Sequence, residues 1–272
     1  MSQLVEKTPS PRTRKSIYND LKELGVKKGM TIIVHTSLSS LGWVNGGAVT
    51  VIQALMDAVT EEGTIVMPSQ TVEISDPAEW ENPPVPEEWW EEIRETMPVY
   101  HPDYTPANFM GKVPEVFRTF PGIERSSHPS YSFTAWGKDK KHILADQSLE
   151  WSLGEESPLR KLYDQGAHVL LLGAGFDSCT AFHLAEYRVE YQDVITKGAP
   201  MIEDGERIWK EYKELEFRDE LFEDLGADFV KTHSLSAGNV GSAKSYLFEV
   251  KEAVDYAEMW LNLYDRRKSE SL

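Results

Sequence analysis

Three apolar runs constrain this chain more than any other feature. Met30-Thr31-Ile32-Ile33-Val34, Thr64-Ile65-Val66-Met67 and Ala167 to Gly173 are continuous rather than alternating, and rich in aliphatic side chains. Runs of this kind are strands buried on both faces, as in parallel sheets covered by helices. Between the first two, Val49, Ile52, Leu55, Met56 and Val59 fall on one helical face of the segment Ala48 to Val59, and Gly63 stops that helix. Strand, helix and strand in this order predict parallel strands joined by a right-handed crossover. The expected fold is α/β and three-layered, a central mixed β-sheet flanked by helices.

Further elements follow from the same patterns. Ile17, Leu21 and Leu24 give Ser16 to Leu24 helical spacing, and a short helix is expected at Lys112 to Thr119. Strands are expected at Tyr131 to Trp136, Arg207 to Tyr212 and Lys244 to Val250. Helices are expected at Ser178 to Tyr187, Phe217 to Leu225 and Glu252 to Leu263, before a polar tail that frays from Asp265. The segment Asp76 to Asn108 combines prolines from Pro77 to Pro106 with Trp80, Trp89, Trp90, Tyr100 and Tyr104. Its prolines and acids predict a loop or helical insertion, while its aromatics predict that it packs, as a lid or binding loop does. No repeat or linker divides the chain, so residues 1–272 are expected to form a single domain.

Composition narrows the partners. The longest aliphatic block, Val169-Leu170-Leu171-Leu172, is far below the roughly 20 residues of a membrane span. Met1 to Lys15 lacks an apolar signal core. Cys179 is the single cysteine, which excludes an internal disulfide framework and a multi-cysteine zinc site, and a reducing cytoplasm fits. A formal charge of −17 argues against nucleic acid and anionic lipid as partners and favours a cationic substrate, although solubility alone would also account for it. The aromatic content permits a homodimer.

Three segments carry candidate chemistry. In Thr180-Ala181-Phe182-His183-Leu184-Ala185-Glu186, the residues at 180, 183 and 186 share one helix face. Asp177 or Ser178 would cap that helix, which starts at the carboxyl end of a buried strand, where open α/β sheets bind ligands. Histidine accepts protons near neutral pH, and a carboxylate beside it strengthens it as a base; a plain helix-face ion pair is the simpler account. The segment His35 to Gly42, followed by Asn45-Gly46-Gly47 at a helix head, offers hydroxyls and backbone donors suited to phosphate, without a Walker lysine. Arg125-Ser126-Ser127-His128-Pro129-Ser130-Tyr131-Ser132 supplies a cation, hydroxyls and a second histidine for a phosphate or a surface carboxylate.

Together "VHTSLSSLGWVNGG", "GTIVMPSQT", "RSSHPSYSFTAWG", "EESPLRKLY" and "VLLLGAGFDSCTAFHLAEYR" resemble, in order and over roughly residues 10 to 265, the aminoglycoside 3-N-acetyltransferases, also called antibiotic N-acetyltransferases. The resemblance implies an acetyl-CoA-dependent N-acetyltransferase without a metal, acting by direct transfer to a cationic amine. It implies His183 as general base with Glu186 in support. It implies that His35, Ser37, Leu38, Ser39, Gly42, Arg125, Ser126 and Ser132 hold the coenzyme, and that Thr180, Asp177 and His128 line the acceptor side. Asp76, Glu79, Glu87 and Glu88 would receive a polycationic sugar.

Rival chemistries are also visible. Cys179 lies four residues before His183, so a Cys–His acyltransferase or amidohydrolase is one alternative. A metal hydrolase through His183 and Glu186 lacks a third marked ligand. A non-catalytic coenzyme A-binding protein would share the fold without turnover.

Overall fold

The structure is a computed structural model describing residues 2–190 and 193–270. Its sheet contains β1 (Thr31–Thr36), β2 (Thr64–Pro68), β3 (Glu124–Arg125), β4 (Phe133–Gly137) and β5 (His168–Leu172). A separate hairpin of β6 (Val194–Glu203) and β7 (Glu206–Leu215) precedes the last two sheet strands, β8 (Ser236–Val240) and β9 (Ala243–Glu249). Across the sheet the order is β3-β4-β2-β1-β5-β9-β8. The centre is parallel, β1 pairing with β2 and β5, while β4 on β2 and β9 on β5 are antiparallel. The expected mixed sheet is therefore present.

Strand alternation explains the continuous apolar runs. Ile32, Val34, Leu170 and Leu172 pack on one face, against α2 (Arg14–Leu24), α3 (Gly47–Val59) and α5 (Lys112–Phe117). Ile33, Val169 and Leu171 pack on the other, which is covered by α6 (Lys140–Leu144), α7 (Pro158–Asp164), α8 (His183–Glu186), α9 (Phe222–Thr232) and α10 (Val250–Glu270). These seven side chains have no solvent exposure. Removing both faces from water stabilises each of them by roughly 1.5–3 kcal/mol. Two further helices are α1 (Ser2–Glu6), at the start, and α4 (Trp90–Thr96), inside the proline-rich insertion.

Several boundaries differ from the sequence expectation, each for a packing reason. Helix α3 touches α2 as well as the sheet. Its buried face is therefore Ala48, Val51, Ile52, Leu55 and Val59, and Val49 is exposed. The helix expected at Ser178 to Tyr187 is broken into 3-10 turns at Phe176–Ser178 and Thr180–Phe182, and only His183–Glu186 is α-helical. Phe176, Cys179, Ala181 and Phe182 are all buried, so tertiary packing on several sides replaces a single helix face. The fraying tail is not observed: α10 runs to Glu270, with Trp260 stacked on Tyr264 and Asp265 bonded to Arg218. Ser271 and Leu272 lie outside the described residues.

The insertion is short helical turns around a small core of its own, Ile74, Met97 and Tyr100 with Trp80, Ile93 and Trp209. Arg207 of β7 donates to the carbonyls of Arg94 and Met97, tying insertion to hairpin. Among the described residues, no helix is long and apolar enough to cross a membrane.

Candidate active site

The parallel strands bring their carboxyl ends to one edge, and the chain leaves each of them there. His35 and Thr36 end β1, Pro68 ends β2, and after β5 the chain turns at Gly173 with φ of 69°. A Cβ at Gly173 would lie 2.7 Å from the Ala243 side chain, so the close crossing requires glycine there. The turn delivers Asp177, Ser178, Thr180 and His183 to the same place. These residues, with Gln70, Phe109, Tyr131, Phe217 and Asp219, wall a cleft of about 530 Å³.

His183 opens α8, and Glu186 lies three residues on, so the helical repeat stacks them. The Nδ1 of His183 bonds the Glu186 Oε2 at 2.6 Å. Because Nδ1–H donates to this carboxylate, the neutral ring carries its lone pair on Nε2. Phe217 and Phe222 pack on the imidazole with centroids at 4.3 and 4.8 Å, fixing the ring plane. Glu186 is 3% exposed. Its Oε1 accepts the Arg218 backbone N–H at 2.8 Å, and the Arg218 guanidinium in turn bonds Asp265 at 2.7 Å.

Two polar atoms of the cleft wall, His35 Nε2 and Thr36 Oγ1, are buried and have no hydrogen-bond partner among the described residues. Burial, and secondarily the charge of His183, push the His35 imidazole down to about 3, so it stays neutral. The loop of residues 37–46 continues from β1. Ser37 bonds Ser40 through their hydroxyls at 2.7 Å, and the Ser39 side is open to solvent. Gly42 has φ of 87°, and a Cβ there would meet Ser242 at 2.9 Å.

The predicted residues divide into three groups. His35, Asp177, Thr180 and His183 come together in the cleft, with Glu186 behind His183, while Ser37, Leu38, Ser39 and Gly42 lie on the loop beyond the end of β1. Arg125, Ser126, His128 and Ser132 do not reach the cleft wall. The Arg125 guanidinium donates to Ser132, Thr71 and the carbonyls of Thr105 and Ser69, which occupies four of its five N–H groups. Ser126 donates to Gln147 and accepts from the Phe133 backbone, and Ser132 donates to the Ser69 carbonyl. His128 is 3% exposed. Its Nδ1 accepts the backbone N–H groups of Ser130 and Tyr131, so Nε2 is the nitrogen that donates to the Leu149 carbonyl. This polar segment is an internal brace that holds β4 to the insertion.

Asp177 does not cap a helix; its Oδ1 accepts the adjacent Ser178 N–H. Cys179 is fully buried, and burial pushes its thiol up to about 12, which opposes a nucleophilic role. Of the acidic residues assigned to a sugar, only Glu79 lines a cleft. A second lobe of about 450 Å³ shares Gln70, Val72 and Tyr131 with the first and adds Glu73, Glu79, Glu81, Trp80, Lys197 and Tyr212. Glu79 pairs with Lys197 at 2.6 Å, and Asp76 pairs with Arg94 at 2.7 Å. Arg218, Asp265 and Phe217 went unrecognised because no local motif marks them, and Tyr131 lay within a marked segment without being singled out.

A family model described as aminoglycoside 3-N-acetyltransferase matches residues 33–262. The SPbeta prophage-derived aminoglycoside N(3')-acetyltransferase-like protein YokD of Bacillus subtilis (strain 168) is 62% identical over 261 residues, 96% of this chain and 96% of that relative. The crystal structure of YokD from Bacillus subtilis matches with a TM-score of 0.96 at 61% identity, covering 98% of this chain and 99% of that one. Aminoglycoside N(3)-acetyltransferase VII of Streptomyces paromomycinus is 33% identical over 274 residues, 95% of this chain and 94% of that one. The structure of AAC-IIIb in binary complex with CoASH matches with a TM-score of 0.85 at 29% identity, covering 94% of this chain and 98% of that one.

Proposed function

Because this chain belongs to the aminoglycoside 3-N-acetyltransferase family, we propose that it transfers the acetyl group of acetyl-coenzyme A directly to an amine of an aminoglycoside-type acceptor, with His183 as general base. The whole chain, 1–272, acts as one domain in this reading, and it acts in the cytoplasm. The observation that carries it is the His183–Glu186 pair at 2.6 Å on the wall of the cleft at the sheet's carboxyl edge.

The donor set fits a coenzyme thioester. His35 and Thr36 leave polar atoms unpartnered at the cleft wall, and Ser37 and Ser39 offer hydroxyls on the adjoining loop. That a related structure is a binary complex with CoASH supports the same fit. Bound there, acetyl-coenzyme A supplies an acetyl group activated as a thioester. Nε2 of His183 takes the proton that the acceptor nitrogen sheds as it becomes a nucleophile. Glu186 fixes the ring and balances the imidazolium, and a base so placed typically contributes about 10²–10⁴-fold in rate. Asp177 and Asp219 on the same wall attract a cationic amine, and Glu73 and Glu81 extend that attraction into the second lobe.

The test is thiol release from acetyl-coenzyme A against a panel of aminoglycosides and polyamines. Turnover is expected with at least one cationic acceptor. His183→Ala should abolish it while calorimetry finds coenzyme binding retained. Near-normal turnover in that variant would remove His183 as the base.

A further inference from the structure

Glu186 does not serve His183 alone. One carboxylate oxygen, Oε2, bonds the imidazole at 2.6 Å, and the other, Oε1, accepts the Arg218 backbone N–H at 2.8 Å. The Arg218 guanidinium stands over the same oxygen, Nε to Oε1 at 3.8 Å, and its Nη1 bonds Asp265 of α10 at 2.7 Å. Imidazole, carboxylate, guanidinium and carboxylate thus form one line across three separate parts of the chain. The interior carboxylates are 3% and 15% exposed and the guanidinium 19%, so solvent screens the line weakly.

We propose that Arg218 is a positioning residue that shares Glu186 with His183 and so limits how strongly the carboxylate retains the imidazolium. The inference rests on His183 being the base. A buried carboxylate paired to imidazole alone holds the proton on the ring, and a base already protonated at working pH accepts none. The guanidinium competes for the same carboxylate. Asp265 offsets the guanidinium, so that the buried charges alternate in sign instead of leaving a net cation beside the ring.

The other titratable groups around His183 do not replace this effect. His35, from β1, is neutral; Asp177 and Asp219 share the cleft wall; Cys179, buried beneath, is a neutral thiol. Arg218 supplies a cation that pairs, Nε to Oε1 at 3.8 Å, with the carboxylate that His183 bonds. Its backbone N–H also orients Glu186, and that contact survives side-chain substitution.

The experiment is an NMR titration of the His183 ring in the full chain labelled on histidine, with kcat/KM against pH measured in parallel. Arg218→Met removes the cation but keeps the backbone bond. Its His183 midpoint, and the acid limb of kcat/KM, should move up by about one pH unit, a tenfold loss of rate on that limb. Arg218→Lys should restore both to near the wild-type position. Asp265→Asn should move the midpoint the opposite way, because it removes a negative charge from the far end of the line. A structural role alone predicts no such reversal of sign. An unchanged midpoint in folded Arg218→Met overturns the proposal. Should that variant not fold, Asp265→Asn decides: a downward shift supports the proposal, and no shift or an upward one overturns it. Activity in His183→Ala would instead dismiss the assignment of the base, and the ring titration would still report on Arg218.

Discussion

Acidification tests the interior of this fold through two buried imidazoles. His128 and His35 are 3% and 7% exposed. Burial pushes them down to about 4 and about 3, against a small opposing pull from the Leu149 carbonyl on His128 and a further push from His183 on His35. Each is held neutral in the fold, while in the unfolded chain each binds a proton near pH 6.5. Protons therefore favour the unfolded state below that value. The stability these neutral rings carry is whole above pH 6.5 and is lost as pH falls toward 4 for His128 and toward 3 for His35. At about 1.36 kcal/mol per unit, lowering the pH to 5 costs about 2 kcal/mol per ring, or about 4 kcal/mol together. Total stabilities of roughly 5–15 kcal/mol make that a large fraction. Urea denaturation at pH 7 and pH 5 measures it, but relief of the −17 charge on acidification acts in the other direction. His128→Gln isolates the ring's share, since a glutamine amide can still donate to Leu149 and cannot titrate. The variant should lose about 2 kcal/mol less than the wild type between the two pH values. Equal losses in both proteins would refute the reasoning.

Three further outcomes follow from packing. Native Cys179 should resist iodoacetamide, and Cys179→Ala should keep full acetyl transfer at a stability loss of about 1 kcal/mol, since the thiol is buried and its ionisation is pushed up to about 12. Gly226→Ala, a change that gains about 1 kcal/mol in an open helix, should instead lower the melting temperature, because the new Cβ would lie 2.0 Å from the Phe176 ring. Arg125→Met should cost about 3 kcal/mol in urea denaturation, by leaving the Ser69 and Thr105 carbonyls without their donor, yet leave coenzyme affinity measured by calorimetry unchanged.

The legible parts of the molecule were those whose pattern has one physical cause. Ile32-Ile33-Val34 and Val169-Leu170-Leu171 read as strands because helices cover both faces, and nothing but apolar side chains fits there. The pairing of His183 with Glu186 was readable because a three-residue interval is a local property, and it survives although the surrounding helix is only four residues long. Strand β6 was missed because Lys197-Gly198-Ala199-Pro200 reads as a turn. In the fold, Gly198 is the place where the Trp209 indole crosses, 2.6 Å from where a Cβ would stand. The internal bonds of Arg125, Ser126, His128 and Ser132 were not legible for a different reason. A polar side chain that meets a ligand and one that satisfies buried backbone look alike in sequence, and only the partners distinguish them. Arg218 and Asp265 were invisible, being separated from Glu186 by 32 residues and from each other by 47.

In the proposed function, chemistry and acceptor choice are held by different layers of this molecule. His35 and Thr36 end β1, between the two hydrophobic layers, and His183 and Glu186 stand on α8, which packs on one of them. Glu73, Glu79, Glu81 and Trp80 stand on the insertion, whose core of Ile74, Met97 and Tyr100 is separate from those layers. The insertion is linked to the hairpin through Arg207 and through Glu79 with Lys197, and to the β3–β4 region through Arg125, which donates to the Thr105 carbonyl. An insertion with its own core can exchange carboxylates and aromatics at little cost to the sheet. The His183–Glu186 pair has no such freedom, because its carboxylate also meets the Arg218 backbone N–H and a guanidinium anchored on α10. The second lobe meets the first at Gln70, Val72 and Tyr131, so under the proposed function a changed acceptor would still present its amine to the same imidazole.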